Sequence, residues 1–215
     1  MKAQGLIMDM DGTLTDSMPQ WMSVGDKYLI KQGIEPEPDL NDKLKTFSLK
    51  QSAEYFRSRY GIDKEWPEII DGVMAVMDDY YRYDVVLKEG AAEFINYAQG
   101  SGVKLCVASS TESAQVRMAL EHTGIIGSFE FIITSTESSG KDEPRIFEEA
   151  LSRLGTEKEN TWVVDDAYYA LITAKNAGFR TAGIYDESMR ADTKKISHLC
   201  DIYAENMSDL LEQMR

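Results

Sequence analysis

A chain of 215 residues, 43% apolar and 10% aromatic, can bury a full core; this excludes a disordered protein and allows one large domain or a domain carrying an insertion. A formal net charge of -14 excludes nonspecific attraction to nucleic acid or to an anionic membrane surface, so an anionic ligand must be drawn in by local cations. Two cysteines, Cys106 and Cys200, imply no disulfide framework, and Asp9 interrupts the N-terminal stretch before a long apolar run develops. Neither a signal peptide nor a membrane span is expected, and a reducing cytoplasm fits. His122 and His198 are the only histidines and no Cys/His pair has zinc spacing, so histidine-based catalysis is not expected.

In chain order, Leu6, Ile7 and Met8 run an apolar strand straight into Asp9, Met10, Asp11 and Gly12. Residues i and i+2 of an extended chain point the same way, so Asp9 and Asp11 can project together from the strand's carboxyl end, and Gly12 supplies the dihedral freedom that turns the backbone away. Asp16, Ser17, Met18 and Pro19 read as a helix start, with the helix running to about Gln32 and stopped by Gly33. Residues 34–38 form a proline-punctuated turn. Residues 40–83 carry helical patterning and no convincing strand: Leu44, Ala53, Tyr55, Phe56, Ile69, Ile70, Val73, Val76, Met77 and Tyr80 recur at helical spacing. Such a stripe reads as bundle core rather than as a cofactor box.

From Val85 onward helix and strand alternate. A helix over 90–99 precedes a buried strand over 103–108, which delivers Ser109, Ser110 and Thr111 to the start of a helix ending near His122 and Gly124. Residues 129–134 form the next strand and 135–140 a loop; Lys141 then precedes a helix with Pro144 in its first turn, Phe147, Ala150, Leu151 and Leu154 inward, and Gly155 beyond its end. A strand over 161–164 ends at Asp165 and Asp166; the following helix aligns Ala170, Ala174 and Ala177 and closes at Gly178. Strands over 180–185 and 201–204 and a helix over 207–214 complete the chain.

This order predicts an α/β fold: an open parallel, Rossmann-like sheet with helices on both faces, built from residues 1–16 and 85–215, with 17–84 as an inserted helical domain. In such sheets the ligand crevice lies outside the carboxyl ends of the strands. Asp9, Ser109 and the Asp165–Asp166 pair each fall just past such an end, and three polar delivery points at one edge point to a site.

Neighbouring carboxylates repel unless something neutralises them, and a hard cation with oxygen ligands, Mg2+, is the expected solution. Phosphoryl transfer then needs a nucleophile, positioning and compensation of charge. Asp9 would attack phosphorus, and Asp11 would protonate the leaving alcohol and later deprotonate water. Ser109 would donate to a phosphate oxygen, helped by the backbone amides of Ser110 and Thr111, and Lys141 would bridge Asp9 and the phosphate. Asp165 and Asp166 would complete the metal site. Structural readings stand beside these: Ser109, Asp165 or Asp166 as helix caps, and Lys141 as a solvated surface lysine.

The run Asp9-Met10-Asp11-Gly12-Thr13, the strand-end Ser109, Gly140-Lys141 followed by Pro144 and Phe147, and Asp165-Asp166 before an alanine-rich helix ending in Ala177-Gly178-Phe179 resemble the haloacid dehalogenase superfamily in order and spacing. The resemblance covers nearly the whole chain, and the helical insertion is similar to the small cap of the beta-phosphoglucomutase-like branch. It implies Asp9 as nucleophile, Asp11 as acid and base, Ser109 and Lys141 as phosphate stabilisers, and Asp9, Asp166 and the Asp11 carbonyl as Mg2+ ligands, with Asp165 an alternative ligand or a support behind the metal. Dehalogenases proper lack the second aspartate of the first motif, so Asp11 argues against carbon–halogen cleavage. Mutases of that branch carry cations where this chain has Trp21, Leu49 and Glu112, which removes grips on a second phosphate and favours hydrolysis. The fourth motif departs from the usual pattern at Ala167, without loss of a carboxylate.

The expectation is a cytoplasmic, Mg2+-dependent phosphatase acting on a small phosphorylated metabolite. The cap segment 43–50 would face the site, and Lys45 or Lys50 would touch the substrate's far end. The alternatives are a phosphomutase using another cap cation and a binding protein that keeps the fold without turnover. Neither nucleic acid nor a membrane is an expected partner, and no oligomeric state is implied.

Overall fold

Leu6, Ile7 and Met8 are wholly buried, as expected of a strand covered on both faces of a parallel sheet. The computed structural model describes residues 3–44 and 47–215. In order it contains β1 (Gly5–Met8), α1 (Met18–Lys31), α2 (Leu40–Leu44), α3 (Leu49–Tyr60), α4 (Trp66–Tyr83), α5 (Ala91–Gly100), β2 (Lys104–Ser109), α6 (Ser113–His122), β3 (Ile132–Thr134), α7 (Arg145–Leu154), β4 (Thr161–Asp165), α8 (Tyr168–Asn176), β5 (Arg180–Ile184), α9 (Thr193–Leu199), β6 (Ile202–Ala204) and α10 (Met207–Met214). Among the described residues the six strands form one all-parallel sheet, ordered β3-β2-β1-β4-β5-β6. The chain divides into two compact units, one holding residues up to Met18 together with Val85–Arg215, the other Pro19–Asp84.

In the first unit β1 is central, with Ile7 opposite Cys106 of β2 on one side and Val163 of β4 on the other. Those three side chains pack with Ile146, Phe147, Ala150 and Leu154 of α7 and Ala170 and Ala174 of α8 into one core on one face of the sheet. Alternation sends Leu6 to the opposite face, where it lines a hollow with Phe94 and Ala98 of α5. The alanines of α8 let that helix lie close, and Gly178, at φ 89°, ends it in a left-handed conformation that favours glycine. Strand β3 is shorter than the expected 129–134: Glu130 and Phe131 each make a single bond to β2, and the regular ladder begins only at Ile132. The chain between β5 and β6 contains a 3-10 segment and α9, which buries Ile196; no element was expected there.

The second unit has its own core, in which Tyr28 and Leu29 of α1 meet Leu40, Ala53, Phe56, Ile69 and Val76. Burying one such side chain contributes about 1.5–3 kcal/mol. Ser48 caps α3 in a reciprocal box with Gln51, and Pro67 opens α4, where its missing N–H costs nothing.

Candidate active site

The alternation that builds the core also builds the site. Ile7 and Val163 face α7 and α8, so two residues on, Asp165 at the end of β4 and Asp9 just past the end of β1, its N–H still bonded to the Val164 carbonyl at 2.9 Å, continue on that side. Lys141, shortly before α7, reaches both: its ammonium donates to Asp9 Oδ1 and, at 2.8 Å, to Asp165 Oδ2. All three are buried, Lys141 to within 3% of complete. Burial alone would push the ammonium down, but Asp165 and Asp9 hold it well above the usual lysine range. For Asp9 burial dominates, opposed by Lys141 and reinforced by Asp165, Asp166 and Asp11, so its carboxyl lies well above the usual carboxylate range. Asp165 also accepts the Ala167 N–H at 2.9 Å, so it caps the turn into α8 as well as holding Lys141.

Asp166 stands beside this pair and accepts a hydrogen bond from Thr13 Oγ1 at 3.2 Å. Burial, then Asp165 and Asp186, pushes its carboxyl up to about 7. One oxygen from each of Asp9, Asp165 and Asp166 lies within 4.8 Å of the others. Gly12, at φ 81°, brings its backbone so near that a Cβ there would lie 2.7 Å from Asp166 Oδ2. Three buried carboxylates with one ammonium leave two negative charges uncompensated, and all the donors are hard oxygens; this set fits a divalent cation of the Mg2+ type. Gly12→Ala combines a left-handed conformation with an overlap on Asp166. It should cost about 2–4 kcal/mol in urea denaturation and lower turnover at least tenfold; wild-type stability would contradict this close approach.

Asp11 has hydrogen-bond partners of its own. Ser17 Oγ donates to its Oδ1 at 2.5 Å and Thr111 Oγ1 to its Oδ2 at 2.7 Å, which fixes the orientation of the carboxylate. The Ser109 hydroxyl oxygen accepts the Thr111 N–H at 3.0 Å, a use that leaves the hydroxyl proton to give. That amide is thereby engaged, and α6 begins only at Ser113. Ser110 lies on the exposed side of the same loop, within hydrogen-bonding reach of the phenol of Tyr169, whose proton affinity is raised mainly by burial. Because β1 lies between β2 and β4, this contact joins the two sides across the strand that carries Asp9.

Four side chains were not foreseen in these roles: Ser17 and Thr111 on Asp11, Tyr169 on Ser110, and Lys88, whose ammonium lies 2.7 Å from the Gly12 carbonyl oxygen. Thr13 belongs to the first motif, and that was the available signal for its contact with Asp166. In the helical unit Lys50 lies in the first turn of α3, its ammonium 3.8 Å from Glu54 and 5.3 Å from the centre of the Trp66 ring. Lys45 lies outside the described residues. Of the positions where mutases carry cations, Trp21 donates to the Tyr81 hydroxyl at 2.9 Å, Leu49 is exposed, and Glu112 accepts from Thr136 at 3.1 Å.

A buried carboxylate at the end of a central parallel strand, held by a lysine next to a carboxylate pair, is the equipment of a group-transfer enzyme of the open α/β class. More narrowly, the chain belongs to the haloacid dehalogenase-like hydrolases, whose family model matches residues 6–184. It is similar to pyrophosphatase PpaX of Bacillus velezensis, 27% identical over 219 residues and covering 98% of this chain and 95% of that one. It is also similar to the phosphorylated carbohydrates phosphatase of Thermotoga maritima, 24% identical over 191 residues, with 81% and 82% covered. The fold matches a solved Thermotoga maritima protein described as a beta-phosphoglucomutase, with a TM-score of 0.84 at 18% identity and 98% of both chains covered. No helix among the described residues is long and apolar enough to cross a membrane.

Proposed function

We propose that this hydrolase is a Mg2+-dependent phosphatase that cleaves a small phosphorylated metabolite through an aspartyl phosphate on Asp9, in the cytoplasm. The observation that carries the reading is the buried Lys141, bonded at once to Asp9 and Asp165 beside Asp166. Asp9, Asp166 and the Asp11 carbonyl would hold the cation, with Asp165 within reach; when bound, it supplies charge neutralisation that lets an anionic phosphoryl group approach carboxylates. Lys141 neutralises Asp9 and presents a donor to the phosphoryl oxygens, and Ser109 gives its free hydroxyl proton to another. An Asp9 oxygen forms the bond to phosphorus as the bond to the ester oxygen breaks, and Asp11, oriented by Ser17 and Thr111, delivers a proton to the leaving alcohol. Asp11 then takes a proton from water as that water attacks phosphorus, which frees Asp9 and releases phosphate. The two cysteines, both free thiols, agree with a reducing compartment.

The test is phosphate release from a panel of sugar, polyol, nucleotide and acid monophosphates and inorganic pyrophosphate, with Mg2+ and again with EDTA. At least one compound should be turned over, and EDTA should lower the rate at least a hundredfold, the scale of a lost charge-stabilising group. Isomerisation of a sugar phosphate in place of phosphate release would favour a mutase, and binding with no turnover of any compound would remove the catalytic reading.

A further inference from the structure

The chain returns from the helical unit through residues 85–88, and this segment is bonded to the loop that follows Asp9. The Asp16 N–H donates to the Val86 carbonyl at 3.0 Å, the Lys88 N–H donates to the Leu14 carbonyl at 2.9 Å, and Thr15 and Leu87 form an antiparallel bridge. The Lys88 side chain continues the connection. Its ammonium donates to the Gly12 carbonyl at 2.7 Å, the Tyr185 carbonyl at 2.8 Å and Asp186 Oδ2 at 2.7 Å, so all three of its protons are used. Asp186 is anchored in turn by the Ser188 N–H at 2.9 Å and the Ser188 hydroxyl at 2.6 Å.

We propose that Lys88 is a positioning residue: its three-point tie between Gly12, the end of β5 and Asp186 holds the Asp9–Thr15 loop in the one arrangement from which Asp9 and Asp11 can act. Gly12 is the loop's freest backbone joint, and the Gly12–Thr13 peptide is the one that must lie against Asp166. The Gly12 N–H is fixed by the Thr15 carbonyl at 3.0 Å and its carbonyl by Lys88, so both sides of the joint are restrained. A shift of about 1 Å in such a loop is enough to cost on the order of a hundredfold in rate. The Lys88 side chain is only 13% exposed and the Asp186 side chain 5%, so removing the lysine also leaves a buried carboxylate without its cation, a separate effect on stability.

The inference rests on the phosphatase reading, and its test separates the two. Lys88→Met, Asp186→Asn and the double variant are compared with wild type for kcat and KM on the best panel substrate, for melting temperature, and for amide hydrogen exchange over residues 10–15. Lys88→Met should lower kcat about thirtyfold to a hundredfold with KM within twofold. Exchange of the loop amides should quicken at least tenfold. The double variant should regain melting temperature, because no unpaired carboxylate remains, yet keep the low kcat and fast exchange; it also serves where the single variant folds poorly. Recovery of kcat together with melting temperature would reduce Lys88 to a structural group and overturn the proposal, as would unchanged exchange in Lys88→Met. If wild type turns over nothing, the phosphatase reading fails, and the exchange measurement alone decides Lys88.

Discussion

Asp9→Asn should reduce phosphate release at least about a thousandfold, the scale seen when a covalent nucleophile is removed, while the protein stays folded. The amide keeps the size of the side chain and a carbonyl oxygen for Lys141, but it offers no anionic oxygen to phosphorus. Stability should not fall in step with activity. Burial outweighs the Lys141 charge at Asp9 and raises its carboxyl, so ionising it in place costs free energy; the neutral amide avoids that cost and the repulsion from Asp165 and Asp166. Melting in EDTA should therefore stay within a few degrees of wild type or rise, and circular dichroism should be unchanged. A variant that keeps a tenth of the wild-type rate would remove Asp9 from the nucleophile's role.

The elements that deliver the site were legible because parallel strands buried on both faces read as unbroken apolar runs, and glycines punctuate their helices. Leu6 to Met8 and Trp162 to Val164 are such runs, and Gly155 and Gly178 end helices in the left-handed conformation. The partners were harder to read. Ser17 has the sequence signature of a helix cap, yet its hydroxyl bonds the Asp11 carboxylate, because a serine ahead of a helix looks the same whether it holds an amide or an acid. Lys88 and Asp186 stand 98 residues apart, and their pairing follows from where β5 ends relative to β1, which no local pattern records. The segment containing α9 has Ile196 as its buried residue, too little apolar periodicity to announce a helix. Lys141 was legible as a residue but not as a buried one, since most lysines are solvated; its burial follows from the two aspartates it meets.

Lys141→Met should have the largest combined effect, with turnover lost by at least about a hundredfold and a stability deficit that depends on pH. The side chain is buried between Asp9 and Asp165, and removing one partner of a buried ion pair costs about 3–5 kcal/mol because the remaining charge is uncompensated. A carboxyl whose folded pKa exceeds its unfolded value of about 4 binds its proton more tightly when folded, so stability falls as pH rises from about 4 until the folded pKa is passed. In the wild type Asp166 is already in this position, pushed up to about 7, and Lys141 is among the groups that hold it down. Without the ammonium, Asp9 and Asp166 shift further up, and the deficit relative to wild type should be small near pH 4.5, where carboxyls can stay protonated and need no cation, and large near pH 8. Urea denaturation in EDTA at the two pH values measures it directly. Added Mg2+ should recover part of the stability at pH 8 and little at pH 4.5, because a divalent cation supplies charge only to ionised carboxylates. A deficit equal at both pH values would mean that the methionine fails by its shape alone, and that Lys141 does not serve as the counter-charge on which Asp9 depends.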